Sequence, residues 1–537
     1  MRRVAHLPDE NANHATGDVR IAELVASMSL ATDLGNGQPL ETALRCTLLG
    51  LRLAEAAGVS AADREAVFWG GLLRFVGCVG TSVEESAFGG DDLALRAGLL
   101  AVDFADPPAV AARVQASLRA ALGTAHAEAE TRGFLEHGPS IAPAVFASHC
   151  EVASRLAARL GMPPHVIGTV NALHERWDGR GLDGLAATDI PLAARILKLA
   201  EVGTVYGRVL ARDELRALIE RRAGSDLDPE LVRGFDPDGL DALSAFGDES
   251  VWDQVLACEP TPRRRVAEAK VIELARVLAD YSDLKSPYTL GHARGVAALA
   301  QSAAEAMALP ADDILTLELA ALLHDLGRAS IPNGILDSPR TLNRVDRERA
   351  QRHAYESERI LSLIPSLSAV ARLAGQAHER LDGSGYHRGL QGSGLSTAAR
   401  VLSAANAYRG LIEGRAYRPA LTMPGASERL RSLVTAGVLD REAVEAVLHA
   451  AGDRSARRIR SLPAGLTPRE VEVLRLLARG LTNPQIGEAL TISPRTAQQH
   501  VRHIYAKIGA TTRAGATLFV AEHDLLGMRA GLPIVPH

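Results

Sequence analysis

Much of this 537-residue chain is written twice. His174-Glu-Arg-Trp-Asp-Gly-Arg-Gly181 returns 204 residues later as His378-Glu-Arg-Leu-Asp-Gly-Ser-Gly385. A second histidine, His149 or His353, stands 25 residues before each. Pro191–Leu197 likewise pairs with Ser396–Leu402, and Gly70–Gly77 with Ala320–Gly327. The last pair is 250 residues apart, so the first copy carries an insertion, placed at Gly90–Glu136. A repeat of this length is one structural unit used twice. The boundaries read from it are 20–240 for the first copy and 263–455 for the second, with a C-terminal module at 462–528. Asp236–Arg265, rich in Pro, Gly and Asp, reads as a linker, as does the basic Arg454–Arg460. The last ten residues are expected to fray.

The element type follows from composition. Aromatic residues are 4% of the chain, while Ala, Leu and Arg dominate. Runs of β-branched and aromatic residues are scarce, so an all-α fold is expected, two similar helical domains followed by a smaller helical one. There is no run of 18 uncharged apolar residues, and Met1–Asn11 has arginines without an apolar core behind them. No membrane association and a cytoplasmic location are therefore expected. Cys46, Cys78, Cys150 and Cys258 form no CxxC pair, which argues against a thiolate zinc site and a disulfide framework. The net charge of −5 does not exclude nucleic acid, because local charge decides that contact.

The second copy carries residues that suit a metal. His292, the adjacent pair His324-Asp325, His353 and His378 offer imidazoles and a carboxylate. Adjacent His and Asp at a helix end can approach one ion from two directions, and a carboxylate can bridge two. Such a donor set suits iron, manganese or zinc. A bound ion lowers the pKa of its water, and phosphate ester hydrolysis is the natural chemistry.

Taken together, Ala-Leu-Leu-His324-Asp-Leu-Gly, Ile331-Pro332, His353, His378-Glu-Arg-Leu-Asp-Gly-Ser-Gly-Tyr386 and Gly414-Arg-Ala-Tyr-Arg-Pro419 resemble the HD-GYP branch of the HD phosphohydrolase superfamily. The resemblance implies an all-helical domain with a two- or three-metal site that hydrolyses cyclic dinucleotides. By it, His292, His324, Asp325, His353 and His378 match ligand positions, Asn406 stands at a later one, and Asp325 and Arg328 fall at catalytic positions. This chain departs from the pattern at four places. Ala377 replaces a histidine, Asn406 an aspartate, Arg328 a lysine and His387 a proline. The first two remove an imidazole and a carboxylate, so a metal-poor or single-metal site with weak or absent hydrolysis is expected. Arg328 still suits phosphate, so a cyclic nucleotide or other anionic ligand is an expected partner. In the first copy, Arg74-Phe75 replaces His-Asp, the upstream histidine falls at Thr42 and the late aspartate at Glu201. That copy resembles a degenerate HD-GYP domain that packs against its neighbour or senses a ligand.

The C-terminal segment is patterned as short helices. Thr467 and Glu470 form a capping box ahead of Val471, Leu474, Leu477 and Ala478, and Gly480 closes the helix. Thr482 or Asn483 caps a second helix, Pro484–Leu490. After the turn Thr491-Ile-Ser493 a third helix begins at Pro494 and runs to about Ile508. Its buried stripe is expected at Thr496, His500, Val501, Ile504 and Ile508, with Arg495, Gln498, Gln499 and Arg502 outward. Gln and Arg read adenine and guanine edges in the major groove. Leu-Thr-x-Arg-Glu, Gly-Leu-Thr-Asn, Ile-Ser-x-Arg-Thr and Tyr-Ala-Lys-Ile-Gly over Leu466–Leu526 resemble the LuxR/NarL-type helix-turn-helix. The resemblance implies double-stranded DNA as partner and a fourth helix at Thr511–Leu526 that pairs subunits into a homodimer. By it, Gln498, Gln499 and Arg502 are base-contact candidates, with Arg495, Thr496 and Lys507 completing the DNA-binding set. The chain as a whole reads as a DNA-binding transcription regulator with a sensory HD-GYP-like half. The alternative is a metal-dependent phosphohydrolase carrying a DNA-binding domain.

Overall fold

The computed structural model describes residues 19–86, 91–100, 102, 106–122, 124–235, 250–454 and 462–526. Met1–Asn11, the first part of the Asp236–Arg265 linker, most of Arg454–Arg460 and the last ten residues lie outside these. The described residues are helical, with isolated bridges such as Arg20 to Arg265 and no strand. All four cysteines are free thiols. Ala61–Ser86 is, among the described residues, long and apolar enough to cross a membrane, and 83% of its most apolar window is buried inside the protein. It is broken into Ala61–Leu72, a tight turn and Ser82–Ser86, and supplies core side chains such as Phe68 and Trp69.

Details of folding recur at matching places in the two copies. Asp33 accepts the amide of Ala43 at 3.1 Å, and Asp283 that of Ala293 at 3.0 Å. Gly77 and Gly327 each lie so close to a backbone carbonyl, of His149 and of His353, that no Cβ fits. Glu175 and Glu379 are both buried and both accept amides of the loop that follows them. Arg195 and Arg400 bond the carbonyl five residues back and reach Asp228 and Asp440 respectively.

The halves are interlocked rather than merely adjacent. Helix Ile21–Gly35 packs on the turn Leu326–Ser330, and helix Glu268–Asp283 packs on the turn Val76–Thr81. Thr32 and Tyr281 share a buried hydrogen bond of 2.9 Å where these helices meet. The inserted stretch forms helices Asp92–Leu99 and Pro107–Leu122 and the start of the long helix Thr124–Arg159, around a small core of Leu95, Val114, Leu118 and Ala127. Asp92, fully buried, ties the insertion to the second copy through Lys285 at 2.5 Å and the Asn333 amide at 2.8 Å.

The C-terminal module has four helices, Pro468–Ala478, Asn483–Leu490, Pro494–Ile508 and Arg513–Glu522. The capping box at Thr467 forms as expected, and Thr482 is the second cap, so that helix begins at Asn483. Gly487 lies against the Ile492 carbonyl, where a Cβ would be 2.7 Å from the oxygen, so the turn between the helices can close tightly. The last helix packs on the long helix Thr124–Arg159. Glu151 accepts the amides of Thr511 and Thr512, at 3.1 and 2.8 Å, and the Thr511 hydroxyl at 2.8 Å. Arg155 donates to the Gly509 carbonyl, and Arg159 lies 3.6 Å from Glu522. The helix expected to pair subunits is thus seated within its own chain.

Candidate metal centre and DNA-reading face

Helix Ala311–Leu323 delivers His324 at its end and Asp325 one residue later. The turn is locked on helix Arg344–Leu361. Ser357 donates to the His324 carbonyl at 2.6 Å and accepts the Gly327 amide at 2.8 Å. His292 opens helix His292–Ala306, His353 lies within Arg344–Leu361, His378 follows Ser368–Ala374, and Asn406 comes from Thr397–Ile412. Four separate pieces of chain therefore meet at Asp325, which has no accessible surface, and Asn406 reaches His292 and His378 from a fifth.

His292, His324 and His378 with Asp325 and His353 form two donor groups that share the Asp325 carboxylate. One is His292, His324 and Asp325; the other is Asp325, His353 and His378. To Asp325 oxygens, the Nε2 atoms of His324, His353 and His292 lie at 3.1, 3.3 and 3.6 Å. The Nδ1 atoms are held from behind. That of His324 meets the Ala321 carbonyl at 2.8 Å, that of His353 the Ala350 carbonyl at 2.6 Å, and that of His292 the Glu413 carboxylate at 2.7 Å. An Nδ1 proton on each acceptor leaves the Nε2 lone pair facing inward, the usual support of a ligating histidine.

The consequence is a set of acceptors that face one another. His292 Nε2 is 3.1 Å from Asn406 Oδ1, and His353 Nε2 is 3.0 Å from His378 Nε2. His324 Nε2 is buried without a hydrogen-bond partner, and the buried Asp325 oxygens meet the Arg328 guanidinium and the surrounding imidazoles. A cation between such atoms resolves their repulsion, so the donor set fits a metal. Protonation agrees. Burial drives His292 down to about 4 and His378 well below the ordinary imidazole value. Burial would raise Asp325, but the Arg328 guanidinium and His324 outweigh it and hold the carboxylate ionised.

The departures from the family pattern have visible effects. Ala377 is buried and offers no donor. Arg328 contacts the Asp325 carboxylate directly and lies 3.9 Å from Asp283. His387 is no substitute ligand, since its Nε2 faces Glu358 at 3.4 Å. The Tyr386 ring stacks on His378, with centroids 4.7 Å apart, and shields one side of the cluster. Glu413, which anchors His292, was not singled out from sequence, although it directly precedes the Gly414–Pro419 motif.

In the first copy, Arg74 occupies the place of His324. Its guanidinium contacts Glu201, the counterpart of Asn406. His149 and His174 remain, but His149 bonds Thr81 at 2.7 Å and sits 3.4 Å from Glu85.

In the C-terminal module, Arg495, Gln498, Gln499 and Arg502 are exposed on helix Pro494–Ile508. One expectation, a buried Thr496, is corrected. Thr496 is exposed and bonds the capping Ser493 hydroxyl, while Ala497 takes the buried position with Ile504 and Ile508. Lys507 lies roughly 130° round the helix from the outward face. It pairs with Glu470 at 2.7 Å and donates to the Gly465 carbonyl, so it braces the module's first helix.

Residues 276–442 match the HD domain family, and residues 464–520 match the bacterial regulatory proteins of the luxR family. The chain therefore carries an HD domain followed by a C-terminal LuxR-type helix-turn-helix domain. Among similar proteins is the 3'3'-cGAMP-specific phosphodiesterase 3 of Vibrio cholerae, 28% identical over 415 residues, 76% of this chain and 89% of that protein. The 3'3'-cGAMP-specific phosphodiesterase 1 of the same organism is 28% identical over 353 residues, 61% of this chain and 80% of that protein. The crystal structure of the cyclic GMP-AMP-specific phosphodiesterase V-cGAP3 of V. cholerae superimposes with a TM-score of 0.55 at 25% identity, covering 81% of this chain and 98% of that one.

Proposed function

We propose that this chain is a DNA-binding transcription regulator, acting as a cytoplasmic homodimer, whose HD half binds a cyclic dinucleotide. The observation that carries this reading is the exposed Arg495, Gln498, Gln499 and Arg502 face on a module packed directly against the HD half. In this reading the chain divides into an HD-GYP-like repeat at 20–240, a second at 263–455 and the DNA-binding module at 462–528. The relatives' cyclic dinucleotide substrate, together with Arg328 at the rim of the His-Asp cluster, supports a phosphate-bearing effector.

His292, His324, Asp325, His353 and His378, with Asn406 as a neutral sixth donor, would hold a divalent ion such as iron, manganese or zinc. Such an ion supplies Lewis acidity and a water of lowered pKa. The chain's own residues orient the ligand. Arg328 offers donors to a phosphate oxygen, and Tyr386 covers the His378 face. The facing acceptors at His353 and His378 favour a second reading, slow hydrolysis of the same dinucleotide, weakened by Ala377 and Asn406.

The test uses the intact protein and the His324→Ala/Asp325→Ala variant. Metal content, turnover of 3'3'-cGAMP and cyclic di-GMP, and affinity for DNA selected from a random pool are measured together. Bound metal lost in the variant, little turnover, and DNA affinity shifted by a dinucleotide are the expected outcomes. Rapid turnover abolished by the double substitution would make the chain an enzyme first. DNA affinity indifferent to every dinucleotide would overturn the regulatory reading.

A further inference from the structure

The first copy holds a partly open cavity of about 610 Å³ beneath the long helix Thr124–Arg159. It lies where the second copy has its His-Asp cluster, because His149, His174, Phe75 and Glu201 line it. Both donor groups able to hold an ion, among the described residues, are in the second copy. Here Arg74, 2% exposed, stands in the place of His324 and neutralises Glu201. A fixed guanidinium paired with a carboxylate thus fills the centre, and no ion is needed.

The cavity lining is of two kinds. Most of its wall is hydrocarbon and aromatic, with Phe75, Leu95, Phe134, Phe146 and Tyr206 around it. Arg176, Arg222 and Lys198 also line it, Arg222 lying 5.8 Å from the Tyr206 ring. The arginines have carboxylates close by, Asp178 at 3.1 Å and Asp226 at 3.0 Å. Lys198 has no hydrogen bond among the described residues. Its nearest carboxylate oxygen, on Glu201, is 3.8 Å away and is already held by Arg74. Burial brings the ammonium down to about 8, a sign of how poorly it is solvated. The Lys198 side chain keeps 21% of its surface exposed, so the cost of a weakly paired ammonium is partial, and an anion brought to it lowers that cost.

We propose that this cavity is a metal-independent binding site for a small amphipathic anion, its carboxylate-type head on Lys198 and its apolar body among Phe75, Phe134, Phe146 and Tyr206. The volume lies within the range of roughly 300–1,000 Å³ usual for such ligands. A cyclic dinucleotide fits poorly, since the polar edges of two bases and two phosphates would meet mostly hydrocarbon. The inserted helices give the site its roof, and this is a use for them that the HD domain alone does not require. Phe134, Phe146 and His149 reach the cavity from the same long helix whose next residues, Glu151, Arg155 and Arg159, hold the DNA-binding module.

The experiment is equilibrium binding of 1-anilinonaphthalene-8-sulfonate to the intact chain, displaced by dodecanoate, dodecanol or dodecyltrimethylammonium. Dodecanoate is expected to displace one dye per chain and to do so at least tenfold more tightly than the other two. Lys198→Met should abolish that preference while leaving dodecanol unchanged. Val145→Trp, which fills the cavity from the long helix, should remove binding of all three. A chelator should change nothing. Dodecanol binding as tightly as dodecanoate, dodecanoate indifferent to both substitutions, or displacement by cyclic di-GMP alone would each overturn the assignment. The head-group series on the unsubstituted protein decides the matter even where a variant fails to fold.

Discussion

His149 shows how one residue kept from a ligand set becomes part of a scaffold. Burial alone would lower its pKa, but the Cys78 sulfur and the Glu85 carboxylate outweigh burial and lift it to about 9. Glu85 is also buried, which would raise it, yet Arg96 and His149 bring it to about 2. A folded-state value above the unfolded 6.5 means that the His149 contribution is whole below pH 6.5 and is lost as pH rises through about 9. The Glu85 contribution is whole above pH 4.5 and is lost as pH falls towards 2. The pair should therefore stabilise most between these limits. Urea unfolding midpoints should drop from pH 6 to pH 9.5 in the native chain, and less in His149→Asn. An equal drop in both would show that the imidazole carries no such charge. The His-Asp cluster of the second copy was legible at this scale, because histidine is a residue of unusual chemistry and two of the four, His353 and His378, stand at a spacing that the first copy repeats. Arg74 and Glu201 were read only as lost ligands, and Lys198 was not singled out. What they form depends on side chains that converge from distant segments, and spacing along one strand of sequence does not report that.

At the scale of the element, caps and small residues were the readable signals. Thr467 with Glu470, and Ser493 ahead of Pro494, stop and start helices through local hydrogen bonds, and the structure keeps them. The register of helix Pro494–Ile508 was harder to see, because Ala497 is too small to stand out in an apolar pattern and the Thr496 hydroxyl turns back to its own cap. Lys507 looked like a phosphate contact because its partner, Glu470, is 37 residues away in sequence. Two substitutions separate the roles. Arg502→Ala should weaken DNA binding by about 1–3 kcal/mol, while Lys507→Ala should lower thermal stability and leave DNA affinity nearly unchanged. A large DNA defect in Lys507→Ala would mean that the ion pair opens on binding. Gly327 is the other decisive position. A methyl group there runs into the His353 carbonyl and the Ser357 amide. Gly327→Ala should cost about 1–3 kcal/mol in chemical denaturation and release bound metal, since the turn that carries Asp325 must move.

In the whole molecule, one continuous set of buried side chains runs from Val19 to Leu525. The repeat announced two similar units, but not that the first helix of each lies on the other's central turn. That exchange rests on shape at a distance, for which the sequence has no local mark. The buried Asp92–Lys285 pair joins the insertion to the second copy. Asp92→Ala leaves the buried Lys285 with the Ser82 hydroxyl at 3.4 Å and no carboxylate, at a cost of about 3–5 kcal/mol, and should lower a single shared unfolding transition rather than one of two. Two resolved transitions in calorimetry would show that the halves melt apart.

Glu151 gives the joint between the halves a particular character. The two residues that lead into the last helix of the DNA-binding module, Thr511 and Thr512, give their amides to a carboxylate carried on the long helix Thr124–Arg159. A module copied onto a foreign chain would bring the helix and leave its acid behind. Gene fusions that shuffle this kind of module would then succeed most readily where the new host already presents an acidic residue on a neighbouring helix, so compatibility between sensor and reader can turn on one side chain.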